Sequence, residues 1–202
     1  MLTNSDDKFF SIGFDLPALY DLSAKDFRAF YQAFNRVCLD LYTFPKPTLA
    51  ALLGHAIAGG CILAICCDYR IIAAGHKLMG LNEIKLGVPV PYPADRILRE
   101  IVGVRLALEM MEGGSFYPPD KALTLGLVDQ VLPVEDVLTT AIEKLNAIGT
   151  MSPKAFEIIK RNRVEQVTER LEQVLEYKED VFIECWYSSE ARERLAEALK
   201  KF

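Results

Sequence analysis

Two kinds of residue in this 202-residue chain have the types and spacing for chemistry. The first is a run of glycines, Gly54, Gly59 and Gly60, set between the apolar runs Thr48 to Leu53 and Cys61 to Cys67. A glycine turn that feeds a helix leaves the first backbone N–H groups of that helix without acceptors. With the positive end of the helix dipole, those groups can hold an anion or a developing oxyanion. The same residues would serve equally as a tight strand-to-helix turn inside a core. Gly13, in the stretch KFFSIGFDL, is a similar case: a plain turn, or a second place where backbone donors face a ligand. The second kind is a carboxylate in apolar surroundings. Glu83 stands among Leu81, Ile84, Leu86 and Val88, bounded by Gly80 and Gly87. A lone Glu in such sequence is more often an exposed residue on a half-buried element than a catalyst. If buried, its pKa rises into the range useful for proton transfer.

Several chemistries can be set aside. A phosphate-binding P-loop needs Lys and Ser/Thr directly after its second glycine, whereas Gly59 is followed by Gly60 and Cys61. The Gly-x-Gly-x-x-Gly spacing of a dinucleotide fingerprint does not occur. A net charge of −5 argues against nucleic acid as the main partner. No apolar run is long enough to span a bilayer, and the start, MLTNSDDKFF, is polar and without a secretory signal. The five cysteines include an adjacent pair and no C-x-x-C, which fits buried free thiols in a reducing cytoplasm and no zinc site. With only His55 and His76 as imidazoles, no metal centre is expected.

The elements that must position these residues follow from pattern. Thr48 to Leu53 is too short to be anything but a buried strand or a helix fragment, and Cys61 to Cys67 reads as a buried helix. Phe9-Phe10 ends a strand, and Pro17 to Leu22 looks irregular. Ser23-x-x-Asp26 caps an amphipathic helix with Phe27, Phe30, Tyr31, Phe34, Val37, Cys38 and Leu41 on one face. Tyr69 to Ala74 and Leu127 to Leu132 read as strands, and Lys77 to Met79 as a short one. Pro89, Pro91 and Pro93 break regular structure before helices over Asp95 to Val102 and Arg105 to Met111. A helix opens at Pro118-Pro119. From Glu135 the pattern is helical: Glu135 to Ile148, Pro153 to Val164, Gln166 to Cys185 and Ser189 to Lys200. The change from alternating strand and helix to helix alone divides the chain into a core over 1–149 and a helical region over 150–202.

Three segments together resemble the crotonase (enoyl-CoA hydratase/isomerase) superfamily. Phe10-Ser11-Ile12-Gly13-Phe14-Asp15-Leu16 is similar to its F-C-A-G-x-D-L motif. Lys46-Pro47-Thr48 through Gly59-Gly60-Cys61 and Cys67-Asp68-Tyr69-Arg70-Ile71 resembles its K-P…G-G-G-x-E…C-D-x-R-I block. ALTLGLVDQVLP, Ala122 to Pro133, resembles its A-x-x-x-G-L-V-x-x-V-x-P block, and Ser152-Pro153-Lys154-Ala155 a common start to the helical tail. The resemblance implies an α/β fold, a ββα spiral with a helical C-terminal region, assembled as a homotrimer or a dimer of trimers. It implies an acyl-CoA substrate, with coenzyme A entering only as part of that substrate and no other cofactor. It also implies an oxyanion hole made by the backbone N–H groups of Phe14 and Gly59. Phe14, standing where the family has a small residue, would keep its donor and narrow the acyl site.

The departures from the family pattern sharpen the reading. Hydratases of the family carry one Glu directly after Gly-Gly-Cys and a second where Glu83 falls; here the first position is Ile62. Hydration asks for water activation and protonation of the α-carbon, divided between two carboxylates. Moving a double bond from the 3,4 to the 2,3 position asks for one base that takes a proton from C2 and returns it to C4. Gly80-Leu81-Asn82-Glu83 followed by Leu86-Gly87 resembles the mitochondrial-type Δ3,Δ2-enoyl-CoA isomerases, which also have an apolar residue where Ile62 stands. The resemblance thus implies Glu83 as catalyst, with Ile62 and Asn82 in the substrate pocket, in fatty-acid β-oxidation. The P-G-x-G-G-T-Q-R segment of hydratases is replaced by Val90-Pro91-Tyr92-Pro93-Ala94-Asp95-Arg96. The first family motif begins within a dozen residues of Met1, so an N-terminally shortened spiral is expected. Part of the CoA wall is then absent, and the sheet edges favour association with another chain. Two alternatives stay open: a hydratase or other acyl-CoA enzyme of the same fold, and a shortened, non-catalytic homologue acting in assembly.

Overall fold

Short apolar runs broken by Gly and Pro become short strands, dealt in turn into two sheets. The computed structural model describes residues 1–200. In chain order the first half comprises β1 (Leu2–Thr3), β2 (Phe9–Ser11), α1 (Leu16–Tyr20), α2 (Ala24–Tyr42), β3 (Leu49–Leu52), β4 (His55–Ile57), α3 (Gly59–Ile65), β5 (Tyr69–Ala73) and β6 (Met79–Gly80). A 3-10 turn, Glu83–Leu86, follows. The second half comprises α4 (Tyr92–Val102), α5 (Val104–Gly113), β7 (Phe116–Tyr117), α6 (Pro119–Thr124), β8 (Gln130–Leu132), α7 (Val134–Gly149), α8 (Pro153–Trp186) and α9 (Ser189–Leu199). One sheet has the order β1-β3-β5-β8, the other β2-β4-β6-β7. Each turn of the chain contributes one strand to each sheet, which is the ββα spiral. All pairings are parallel except β6 with β7.

Parallel strands buried on both faces read as continuous apolar runs, and all four residues of β3 are buried. Alternation along the strand then divides them. Leu49 and Ala51 pack with Ile71 and Ala73 against Val137 and Ala141 of α7. Ala50 and Leu52 join the central core with Cys61, Ile62 and Ile65 of α3. Each such fully buried Leu or Ile contributes about 1.5–3 kcal/mol.

The structure differs from the pattern reading in several places: β1 and β7 were not expected, the short strand expected at Lys77 to Met79 is Met79–Gly80, and the one expected from Leu127 begins at Gln130. Pro17 to Leu22 is not irregular: α1 forms there, with Pro17 in its first turn and Asp15 accepting the Ala18 N–H at 3.2 Å. The stretch from Gly54 to Gly59 is not one turn, because β4 intervenes and pairs with both β2 and β6. Pro93 does not precede α4 but lies in its first turn, where a missing N–H costs nothing. The two helices expected across Pro153 to Cys185 are one 34-residue helix, α8, with no Gly or Pro after Pro153 to end it.

The Asp68-Tyr69-Arg70 segment ties layers together. The Arg70 guanidinium donates to the carbonyls of Leu127 (3.0 Å) and Cys67 (2.7 Å), and the Arg70 N–H to Asp129 (2.6 Å), so β5 is fastened to the segment before β8. Asp68 accepts from the Thr48 N–H and hydroxyl and from Lys160 of α8.

Candidate active site

Three adjacent parallel strands, β2, β4 and β6, end on the same side of one sheet. The residues just past those ends are Phe14, Gly59 and Glu83. Open sheets of this kind place ligands at the carboxyl ends of their strands. A cavity of about 760 Å³ lies there, and Phe14, Gly59, Ile62, Asn82 and Glu83 all line it. Segments 69 residues apart in sequence thus meet at one hollow, as Phe14 and Glu83 do.

The two glycine turns are pressed against each other. Gly13 has φ +104°, and a Cβ there would stand 2.9 Å from the Ala58 Cβ and 3.2 Å from the Gly59 nitrogen. Gly60 is closer still to its neighbour: a Cβ would meet the Ser11 carbonyl oxygen at 2.2 Å. The start of α3 can therefore reach β2 only with glycine at position 60. Gly60→Ala is expected to destabilise by about 1–3 kcal/mol through overpacking against backbone. Urea unfolding checks this, and a midpoint equal to wild type would contradict it. The Phe14 and Gly59 N–H groups donate in none of the turn and cap hydrogen bonds that surround them. Gly59 opens α3, where a helical partner is absent by geometry. The Phe14 ring stands edge-on to Phe30 (4.9 Å) and Phe34 (4.8 Å), so the aromatic stripe of α2 anchors this turn.

Before Gly59 comes a residue that sequence reading passed over. Ala58 has φ +49° and ψ −121°, a conformation costing of order 1–3 kcal/mol for a residue with a Cβ.

Glu83 opens the 3-10 turn and is 7% exposed. Burial pushes its carboxyl up from 4.5 to about 7, while the backbone amides of Glu83 and Asn82 pull the other way. Its Oε2 is buried without a hydrogen-bond partner, as is the Asn82 Oδ1. A buried carboxyl raised to about 7 is half charged near neutral pH and can accept or give a proton with little penalty. Ile62 is 1% exposed and brings no second carboxylate. The other carboxylates at the cavity, Glu190, Glu193 and Glu197 of α9, are exposed.

The rest of the wall comes from the helical end of the chain. Phe182 and Trp186 line the cavity. They are held by ring stacking of Trp186 on Phe27 (4.3 Å) and of Phe182 on Tyr31 (4.1 Å). Arg194 and Ala198 of α9 complete the wall. Sequence reading assigned no site role to these residues. The apolar stripe of α8 was the only signal for them, and it does not say which face of the core it meets. Among the described residues no group of three His, Cys, Asp or Glu is placed to hold a metal ion.

Comparison with known proteins agrees with this arrangement. The enoyl-CoA hydratase/isomerase family profile matches residues 1–202, so the chain belongs to that family. A curated relative, enoyl-CoA delta isomerase 1, mitochondrial, of Homo sapiens, is 35% identical over 146 residues, covering 72% of this chain and 48% of the relative. The chain thus spans about half the length of that relative. The crotonyl-CoA hydratase of Syntrophomonas wolfei is 28% identical over 201 residues, covering 100% of this chain and 77% of the hydratase. Among solved structures, human mitochondrial Δ3,Δ2-enoyl-CoA isomerase superposes with a TM-score of 0.94 at 28% identity. That match covers 98% of this chain and 78% of the isomerase chain.

Proposed function

We propose that this chain shifts the double bond of a 3-enoyl-CoA to the 2,3 position, with Glu83 as the single base. The observation that carries this reading is one buried carboxylate, raised to about 7, in a cavity whose other candidate carboxylate position is Ile62. The Glu83 carboxylate takes a proton from C2, and the electron pair moves into the thioester to give a dienolate. The N–H groups of Phe14 and Gly59 hold the enolate oxygen, each contributing on the order of 3 kcal/mol to the transition state. Glu83 then delivers the same proton to C4, so no atom is gained or lost and no cofactor is consumed. Assembly as a homotrimer or a dimer of trimers, in the cytoplasm, belongs to the same proposal.

The test is incubation of the purified chain with a 3-enoyl-CoA, followed by absorbance of the conjugated product and by mass. Conversion without mass change supports isomerisation. A gain of one water supports the second reading, hydration, which is favoured by the match to a crotonyl-CoA hydratase across all of this chain and 77% of that hydratase. No conversion of either kind overturns both.

The same reading fixes a pH dependence. A base must be ionised to act, so kcat/KM should fall about tenfold per unit below the Glu83 pKa of about 7 and level off above it. A flat profile from about pH 5 to pH 8 would remove Glu83 from the role.

A further inference from the structure

We infer that Ala58 is a positioning residue, whose backbone and methyl group together set the distance between the Gly59 and Phe14 amides. The inference rests on the acyl-CoA reading of the cavity. Among the described residues Ala58 alone has a positive φ without being glycine. Glycine would take this conformation freely, and Gly59 and Gly60 follow directly, yet a Cβ is placed here. Strain of this kind persists only where the surroundings over-determine it, and two hydrogen bonds and the placement of the methyl do so. The Ala58 N–H donates to the Gly80 carbonyl at 2.9 Å, at the end of β6. Its carbonyl accepts from the Ile62 N–H at 2.9 Å, inside α3. One residue therefore joins the strand that leads to Glu83 to the helix that starts with Gly59.

The third feature is the methyl. It fills the space a Gly13 side chain would need, 2.9 Å from that ideal Cβ position. Gly13 directly precedes Phe14, so the methyl is a spacer between the two turns that carry the donors. The fold needs none of this, since glycine could make the same turn with less strain. What the methyl adds is definition: a glycine here widens the conformations open to the Gly59 amide, and small misplacements of a catalytic donor are costly.

The test compares Ala58→Gly and Ala58→Ser with wild type. The probe is a saturated acyl-CoA carrying 13C at the thioester carbonyl, read by isotope-edited vibrational spectroscopy alongside isomerase kinetics. In wild type the bound carbonyl stretch shifts to lower wavenumber. In Ala58→Gly about half of that shift or more should disappear, and kcat should fall about tenfold with KM changed less than about threefold. Ala58→Ser, which keeps a Cβ, should hold the shift. If wild type itself shows no shift, the acyl-CoA reading fails. If wild type shows it and Ala58→Gly retains both shift and kcat, the positioning role fails while the reading stands. A Ser variant that behaves like Gly, or a Gly variant that unfolds, also overturns the role, because the methyl spacer would then be idle or purely structural.

Discussion

Glu83→Gln is expected to lower isomerase turnover by on the order of 10³–10⁴ while leaving the protein folded. Gln keeps the shape of Glu but cannot carry a proton between two carbons. The same substitution has an effect on stability with a defined sign. In the folded protein burial raises Glu83 to about 7, whereas its ordinary value is 4.5. Between those pH values the folded state holds a proton that the unfolded chain has released. Stability therefore falls as pH rises through this window, and the contribution is fully present only below about 4.5. The span corresponds to about 3 kcal/mol at 1.36 kcal/mol per pH unit. Urea unfolding of both proteins across the window measures it. The wild type should lose about this much relative to Glu83→Gln, because the variant has no carboxyl to ionise. Parallel curves would show that Glu83 is not a buried, neutralised acid, and retained turnover would end its assignment as base.

Asp68→Asn is expected to show the opposite pattern: loss of stability with the chemistry intact in whatever remains folded. The Asp68 and Lys160 side chains are 1% and 2% exposed and stand 2.9 Å apart. Asp68 also accepts from the Thr48 N–H at 2.8 Å, from the Thr48 hydroxyl at 3.0 Å and from Arg163. Removing the carboxylate leaves the Lys160 ammonium buried without its counter-charge, at a cost of about 3–5 kcal/mol. That is a large share of the roughly 5–15 kcal/mol that holds a typical domain together. Arg163 is half exposed and can turn to water, so the loss centres on Lys160. Adding Lys160→Met should recover much of it, since a buried pair replaced by apolar groups is often near neutral. Neither residue lines the cavity. A change below about 1 kcal/mol would mean that the pair is not buried in solution.

What these two residues look like in sequence explains how far sequence reading reaches. Glu83 was legible because its neighbours are apolar and glycines bound it. The two glycine turns were legible as places with spare backbone donors, and the family resemblance singled out Phe14 and Gly59 among them. Ile62 was informative only against the family pattern, which has a carboxylate there in hydratases. The alternation of strand and helix, and the helical end after it, were legible in local pattern, whereas the ββα spiral was implied only by the family resemblance. Element ends were less legible where a proline or glycine has two uses: Pro93 sits within the first turn of α4, and Gly54 precedes a strand, β4, rather than continuing one turn to Gly59.

The sequence by itself supplied the candidates, a lone carboxylate in apolar surroundings and two glycine turns with spare backbone donors, and the family resemblance supplied the chemistry proposed for them. Only the tertiary structure decided that these groups share one cavity, because that follows from β2, β4 and β6 lying side by side with their ends aligned. It also decided that α8 and α9 supply the far wall through Phe182, Trp186 and Arg194. Ala58 belongs there too, since its dihedral angles are held by hydrogen bonds to Gly80 and Ile62, and its methyl occupies the space beside Gly13. The physical reason is common to all three: periodicity and residue type report what a segment buries, but not which distant segment it is buried against.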